Sequence, residues 1–210
     1  ITQAPALEPN LVLWLDASNI DVQNNNTISE GDRVSRWFDL SGKANNAMQG
    51  MPDKMPIYFV KNGTERIHFE ASNNNHFISR LDINPDVYSK LTIITVLNFD
   101  SPSAMGVWGH DNSGFDRLLA INYDGVSGLS TGTVIQNAPM LFNKVSQDLG
   151  LVHSYFAQGV KESSYLFLDG YLQSLFTAAH SEGMEEFIIG STNKVENELM
   201  FTGDILEMIV

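Results

Sequence analysis

Five side chains suited to sugar binding fall within one short stretch of the sequence, GVWGHDNSGFD. They are Trp108, His110, Asp111, Asn112 and Asp116. An indole face can stack on a sugar ring, and carboxylate, amide and imidazole groups can exchange hydrogen bonds with sugar hydroxyls. We therefore predict a ligand-binding loop here, with Phe115 as a second stacking surface. The alternative is that Trp108 belongs to the core and the polar residues form a solvated turn.

The acidic residues do not form the carboxylate pair that glycoside hydrolysis requires. Glu182, Glu185 and Glu186 are the densest cluster, but Gly183 and the mixed spacing indicate a turn. Glu207 stands alone on its predicted strand after Asp204. We therefore expect no catalytic residues and no hydrolase activity.

Other catalytic and metal-binding patterns are also missing from the sequence. The five histidines lie at 68, 76, 110, 153 and 180, with no pair at the spacing of zinc ligands on a strand or helix. We expect His153 to be a core or edge histidine that holds backbone groups. There is no Gly-x-Ser-x-Gly elbow, and the run from Gly125 to Gly132 contains no lysine, so it indicates a hairpin and not a phosphate loop.

The composition is that of a folded, acidic domain. The 210 residues include 12 basic and 25 acidic side chains, for a formal net charge of -13. This charge repels phosphate groups, so we expect neither nucleic acid nor an anionic membrane surface as a partner, whereas divalent cations are attracted. The chain has no cysteine, which excludes disulfides and thiolate metal sites. No apolar run has transmembrane length, so we expect no membrane insertion.

The clearest structural signal lies between Leu151 and Ala178. Asp169-Gly170 is a two-residue turn signal, because a type I′ turn needs positive φ at both central positions. Aromatic and apolar residues on both sides predict flanking strands, and a third strand from Val152 to Gln158 makes a meander. Asn62-Gly63 is a second signal of the same kind.

The rest of the chain also has the pattern of an all-β protein. Leu91 to Phe99 is β-branched and apolar, which predicts a central strand, and short strands separated by turn residues recur along the chain. Only Pro85 to Lys90 is a helical candidate. We predict one domain over residues 1–210, with two antiparallel sheets packed face to face. The predicted core residues are Leu13, Leu15, Trp37, Phe69, Ile93, Val96, Leu119, Phe167, Ile189 and Ile205.

Three segments resemble a known family in its own order. They are LVLWLDAS from Leu11 with GDRVSRWFDLSG from Gly31, the His153 strand with the meander that ends in Asp169-Gly170, and the closing run FTGDILE from Phe201. Together they look like a bacterial laminin G-like domain of the concanavalin A-like superfamily. The resemblance implies a jelly-roll β-sandwich. The superfamily includes lectins, adhesion modules, peptide binders and glycosidases, but the E-x-D-x-E type motif of its glycosidases is absent here.

The same resemblance implies a calcium site at the rim of the sandwich. In laminin G domains an Asp that opens one strand meets an Asp or Asn that precedes the closing strand. Asp116 is in a place similar to the first, and Asn193, Glu196 or Asn197 to the second. Calcium takes six to eight oxygen ligands, which such a rim can supply. The alternative is that Asp116 pairs with Arg117 or solvent and that the later turn is merely polar.

These observations favour a non-catalytic binding module of a bacterial surface or secreted protein. We expect it to bind a carbohydrate, or failing that a peptide, on a cell surface at the loop containing Trp108 to Asp116, with calcium as a possible cofactor. We expect the isolated domain to be a monomer. A structural spacer domain is the alternative. Because the sequence starts at Ile1 and stops within a predicted strand, we expect it to be part of a larger protein.

Overall fold

Two antiparallel β-sheets form a sandwich, as the sequence predicted. The computed structural model describes residues 8–99, 103–112, 114, 116–132, 135–138, 141, 148–194 and 199–210. The strands are β1 (Trp14–Asp16), β2 (Arg36–Trp37), β3 (Ala47–Met48), β4 (Ile57–Lys61), β5 (Thr64–Phe69), β6 (Phe77–Ser79), β7 (Lys90–Phe99), β8 (Met105–Gly109), β9 (Leu118–Tyr123), β10 (Val126–Ser130), β11 (Ile135–Asn137), β12 (Gly150–Ala157), β13 (Ser164–Leu168), β14 (Tyr171–Phe176), β15 (Phe187–Ile189) and β16 (Gly203–Ile209).

Each sheet has eight strands. Sheet A has the order β14-β13-β12-β7-β16-β5-β4, and β1 also pairs with β16. Sheet B has the order β11-β10-β9-β8-β15-β6-β3-β2. The long strand β7 pairs with β12 over eight residues and with β16 on its other side, so it is the central strand that its apolar sequence indicated. The order mixes strands distant in sequence, as expected for a jelly roll.

Both two-residue turns have the backbone conformation that the sequence predicted. Asn62 and Gly63 have φ values of 55° and 75°, and Asp169 and Gly170 have φ values of 49° and 81°. The second turn joins β13 to β14, and β12 pairs with β13, so the predicted meander is confirmed. The turns therefore fix the direction of these strands locally.

The helical candidate from Pro85 to Lys90 was wrong. This segment is a turn in which the N–H groups of Val87 and Tyr88 both donate to the carbonyl oxygen of Asn84, at 3.0 and 2.9 Å. Six residues are too few to stabilise an isolated helix, because nucleation costs more than the few hydrogen bonds return. The chain enters β7 directly afterwards.

The core lies between the sheets and contains eight of the ten residues predicted for it. Leu13, Leu15, Trp37, Phe69, Ile93, Leu119, Ile189 and Ile205 are fully buried. Val96 and Phe167 are only half-buried and lie on the face of sheet A that is turned away from sheet B, which we call the outer face. Their strands are apolar on both faces, so alternation alone could not tell which residues point inward.

The outer face of sheet A is unusually apolar at one end and charged at the other. In β12 the residues Leu151, His153 and Tyr155 alternate with fully buried neighbours, so their side chains point outward. At the other end of the sheet, Arg66 of β5 pairs with Asp204 of β16 at 3.1 Å. At the first end apolar and aromatic side chains point outward, whereas at the second end the charged side chains are buried in an ion pair.

Candidate functional site

The structure places Trp108 in the core and not beside the loop. Its side chain is fully buried, with ring centroids 5.9 Å from Phe187 and 6.4 Å from Phe156. The β8–β9 register shifts between Gly106 and Trp108, and this irregularity lets both Val107 and Trp108 join the core. The ring is therefore not available as a stacking surface for a ligand in this structure.

His110 and Asp111 are also buried; the His110 ring holds backbone groups, and Asp111 is held through its own N–H. His110 Nε2 accepts a hydrogen bond from the N–H of Arg117 at 3.2 Å, and its Nδ1 lies 3.1 Å from the carbonyl oxygen of Met184. Burial lowers the pKa of His110, although the contact with Met184 opposes this shift. The N–H of Asp111 donates to the carbonyl oxygen of Thr192 at 2.9 Å. These contacts fix the path of the loop.

Asp116 and Asn112 lie together, and a second loop joins them. Asp116 is buried, and its Oδ2 accepts from the N–H of Asn112 at 3.1 Å, while its Oδ1 bonds the hydroxyl of Ser181. Asn112 is exposed and donates from Nδ2 to the carbonyl oxygen of Glu182 at 2.8 Å. A side chain at Gly183 would put its Cβ 2.2 Å from the carbonyl oxygen of His110, so the two loops touch through backbone. Of the five predicted ligand-binding residues, only Asn112 is exposed.

The predicted calcium ligands can be followed only in part. Glu196 and Asn197 lie outside the described residues. Asn193 is buried, and its N–H lies 3.4 Å from the Ser191 hydroxyl oxygen. Asp116 already accepts two hydrogen bonds, but an ionised carboxylate has about four lone-pair sites, so its chemistry still suits a cation. Calcium therefore stays a prediction.

Within the described part of the chain, three exposed residues form the single cluster of potential metal ligands. Asp86, His180 and Glu182 have ligand atoms within 4.8 Å of one another. His180 Nε2 lies 3.2 Å from Glu182 Oε1 and 3.9 Å from Asp86 Oδ1. The fold thus joins a histidine and carboxylates from separate segments, which sequence spacing could not reveal. Because these side chains are exposed, their contacts contribute little to stability.

A cluster of aromatic side chains occupies the outer face of sheet A. His153 and Tyr155 of β12 stand opposite Phe167 and Tyr165 of β13 in the ladder. The rings of Tyr155 and Tyr165 stack with centroids 4.8 Å apart, and His153 stacks on Phe167 at 6.0 Å. All four side chains are half-buried, so part of each ring remains in contact with solvent. We call these four residues the aromatic cluster.

Two grooves lie on either side of the stacked Tyr155 and Tyr165 rings. The first has a volume of about 500 Å³ and is lined by Leu151, His153, Tyr165, Phe167, Gly170, Leu172 and Leu175. The second has a volume of about 520 Å³, and its lining includes Asn10, Lys43, Tyr88, Lys90, Thr92 and Tyr155. The first groove is mainly apolar, whereas the second adds hydroxyl, amide and ammonium groups.

The electrostatics of this face differ from those of the whole protein. Burial lowers the pKa of His153, so the imidazole is neutral at pH 7 and offers one donor and one acceptor nitrogen. Lys43 and Lys90 have no ion-pair partner among the described residues, although the chain carries a net charge of -13. The face therefore combines ring surfaces with neutral and positively charged hydrogen-bonding groups.

The fold also places Asp16 opposite Glu207, which the sequence showed alone on its strand. The two residues are partners in the β1–β16 ladder. Trp14 Nε1 donates to Glu207 Oε1 at 2.9 Å, and the Ser18 N–H and hydroxyl donate to Asp16 Oδ1 at 2.8 and 2.7 Å. Burial raises the pKa of Glu207, with the Trp14 hydrogen bond opposing this shift and the charge of Asp16 adding to it. Each carboxylate thus accepts a hydrogen bond from a different residue of the protein.

Sequence reasoning missed the aromatic cluster although the sequence contains a signal for it. Aromatic residues repeat at every second position in two consecutive strands, at 153 and 155 and again at 165 and 167. Alternation places such residues on one face. The β12–β13 connection is longer than two residues, so it did not show that the two pairs stand side by side, and Phe167 was assigned to the core.

Comparison with known proteins shows the fold. No protein-family model and no curated protein sequence matches the chain. Domain 4 of AbnA, a GH43 extracellular arabinanase from Geobacillus stearothermophilus solved in complex with arabinotriose, aligns at 10% identity with a TM-score of 0.58, over 95% of this chain and 90% of that one. Function does not follow from similarity at so low an identity, so the likeness establishes a β-sandwich alone.

Two botulinum neurotoxin structures share the same sandwich. The binding domain of serotype D aligns at 12% identity with a TM-score of 0.51, over 94% of this chain and 47% of that one. The binding domain of neurotoxin DC, in complex with SialylT, aligns at 11% identity with a TM-score of 0.51, over 95% and 45%. The chain therefore spans about half the length of these toxin domains. None of the described residues forms a helix long and apolar enough to cross a membrane.

Proposed function

We propose that this domain is a non-catalytic carbohydrate-binding module and that its site is the outer face of sheet A. The observation that carries the proposal is the aromatic cluster, whose half-exposed rings line a groove on a rigid sheet. Aromatic faces stack on the apolar faces of sugar rings, and nearby polar groups fix the orientation of the hydroxyls. Because the rings are held by cross-strand packing, little side-chain entropy remains to be lost on binding.

Several features support this location over the loop of Asn112. Trp108, His110 and Asp116 are buried, whereas the aromatic cluster is open to solvent and adjoins two grooves.

The structural neighbours include an arabinanase domain in complex with arabinotriose and a toxin domain in complex with SialylT. We propose a ligand of that general class for this domain. We also propose that the sandwich is of the laminin G-like type and that it acts outside the cell.

A peptide ligand is the second candidate, and one observation favours it. The first groove is lined by Leu151, Leu172 and Leu175 beside Phe167, and apolar side chains of a peptide would fit there better than a sugar. A non-catalytic role is supported by the sequence, which lacks the E-x-D-x-E type motif of glycosidases.

Replacing Tyr165 with alanine should weaken glycan binding. The substitution removes one ring of the stacked pair, and such contacts contribute about 0.5–1.5 kcal/mol, so the affinity should fall about 2- to 13-fold. The measurement is binding of the wild-type and variant domains to multivalent glycan arrays, followed by titration calorimetry with the glycans that bind.

Two matched controls make this experiment specific to the site. Phe59→Ala removes a half-buried aromatic from the other end of the outer face, where its ring contacts His68 at 5.8 Å, and should leave glycan affinity unchanged. Asn112→Ala removes the exposed residue of the predicted loop and should also have no effect. Arrays without any bound glycan, or a loss of binding in Asn112→Ala but not in Tyr165→Ala, would rule out the proposed site.

We also propose that calcium binds the rim through Asp116, and thermal melting tests this. A cation that binds only the folded state raises stability by about 2.7 kcal/mol at a hundredfold excess over its dissociation constant. The melting temperature should therefore be higher with calcium than with a chelator, and Asp116→Asn should remove the difference. In chelator, the difference in melting temperature between the variant and the wild type measures the effect of the lost hydrogen bonds alone. Equal melting temperatures for the wild type under both conditions would refute the site.

A further inference from the structure

Strand β14 is an edge of sheet A. It pairs with β13 on one side, and among the described residues no strand pairs with its other side. Tyr171, Leu172 and Leu175 are 72%, 53% and 53% exposed. Edge strands of soluble proteins usually carry a charge, a proline or a β-bulge that hinders pairing with another chain. YLQSLF contains neither a charge nor a proline, and it has a bulge at Gln173, where the β13–β14 register shifts. Apart from this bulge, the edge is suited to pair with another strand.

The sequence of β14 is complementary to itself in the antiparallel direction. From either end it consists of an aromatic residue, a leucine and a polar residue. Gln173 is the extra residue of a bulge in the β13–β14 ladder, so a two-fold axis at Ser174 would place Tyr171 opposite Phe176 of a second copy and Leu172 opposite Leu175. An interface around a two-fold axis needs this self-complementarity, because the same surface serves both subunits.

The side-chain directions agree with this register. In the β13–β14 ladder, Leu175 stands opposite Tyr165 and Leu172 opposite Phe167, so both leucines point to the outer face. Residues directly opposite in an antiparallel pair point to the same face. The two leucines of each copy would therefore meet those of the other on the outer face of a continuous sheet.

We propose that the domain self-associates by antiparallel pairing of β14 with β14 of a second copy. Charge favours this edge over other surfaces, because β14 has no charged residue whereas the chain carries a net charge of -13, so two copies can meet here without placing like charges directly against each other. This departs from the monomer expected from the sequence.

The size of the contact sets its strength. One six-residue edge buries less than the roughly 800 Å² per partner of a standard interface, so the dimer is weak, with a dissociation constant on the order of 100 µM. Pairing would place two apolar grooves side by side, because Leu172 and Leu175 line both the groove and the contact. If the proposed glycan site is correct, two weak sites on one surface would then act together, but the pairing itself does not depend on that site.

Sedimentation velocity of the whole 210-residue chain, from about 10 µM to about 1 mM, tests the pairing. We expect the sedimentation coefficient of the wild type to rise with concentration. The double variants Leu172→Lys/Leu175→Lys and Leu172→Glu/Leu175→Glu should each remain monomeric, and an equimolar mixture should form a heterodimer, because residue 172 faces residue 175 of the other copy. Val87→Lys, which alters an equally exposed apolar residue outside β14, should associate like the wild type.

Three outcomes would overturn the proposal. A wild type that stays monomeric over the whole range excludes self-association. Association that persists in both double variants places the contact on another surface. A mixture of the two variants that remains monomeric contradicts the proposed register, provided that circular dichroism shows both variants folded.

Discussion

Trp108→Ala should lower the free energy of unfolding by about 3–5 kcal/mol, the usual cost of replacing a large buried aromatic residue. The indole is fully buried and contacts the ring of Phe156 across the core and that of Phe187 on the neighbouring strand of its own sheet. Its loss would leave a cavity that the surrounding strands cannot fill. Chemical denaturation of the variant and the wild type measures the difference.

Trp108→Phe is the control for this substitution. Trp108 Nε1 is buried without a hydrogen-bond partner among the described residues, so phenylalanine removes no hydrogen bond and should cost only about 1 kcal/mol. The pair of variants separates a core role from a ligand contact. If Trp108→Ala were as stable as the wild type and lost only glycan binding, the ring would be a ligand contact and the core assignment would be wrong.

Asp204→Ala should destabilise the domain by about 3–5 kcal/mol, because it leaves a buried cation without its partner. Asp204 Oδ2 lies 3.1 Å from Arg66 Nη1, and its Oδ1 lies 2.8 Å from His68 Nδ1. The Arg66 and Asp204 side chains are 8% and 1% exposed. Urea denaturation of the variant measures the cost.

Replacing both charges should restore most of the lost stability. In Arg66→Met/Asp204→Leu no charge of the pair is left buried, and apolar side chains of similar volume often match a buried ion pair. The exposed residue Asp53 supplies a control, since Asp53→Ala should change stability by no more than about 0.5 kcal/mol. An Asp204→Ala variant within that range would show that the ion pair is not a structural element of the sheet.

The sequence predicted the sandwich because its strongest signals are local. Asn62-Gly63 and Asp169-Gly170 adopt the positive φ values that a two-residue turn requires, and these residue types favour such values locally. The apolar run from Leu91 to Phe99 became the central strand for a similar reason: a strand without a polar face must be covered on both sides or lie at a binding surface.

The direction of side chains in these apolar strands could not be predicted. In β13 every residue from Tyr165 to Leu168 is aromatic or apolar, so alternation fits either face equally well. The structure turns Leu166 and Leu168 inward and leaves Tyr165 and Phe167 outside. Packing against sheet B decides between the two choices, and this packing depends on residues far away in sequence.

The prediction of a ligand-binding loop around Trp108 did not include the irregularity in β8, because the sequence pattern does not show it. Regular alternation would turn only one of Val107 and Trp108 into the core, but the shifted register buries both. His110 was buried for another reason, because the loop at Gly183 packs against its backbone from 73 residues further along the chain. Such long-range contacts leave no trace in local spacing.

Nuclear magnetic resonance mapping of a bound glycan is the most direct test of the proposed site. The wild-type domain would be titrated with a glycan that binds on the array, and chemical-shift changes followed for backbone amides and aromatic rings. We expect the largest changes at His153, Tyr155, Tyr165 and Phe167. Changes confined to the loops around Asn112 and Glu182, with the aromatic cluster unaffected, would contradict the account.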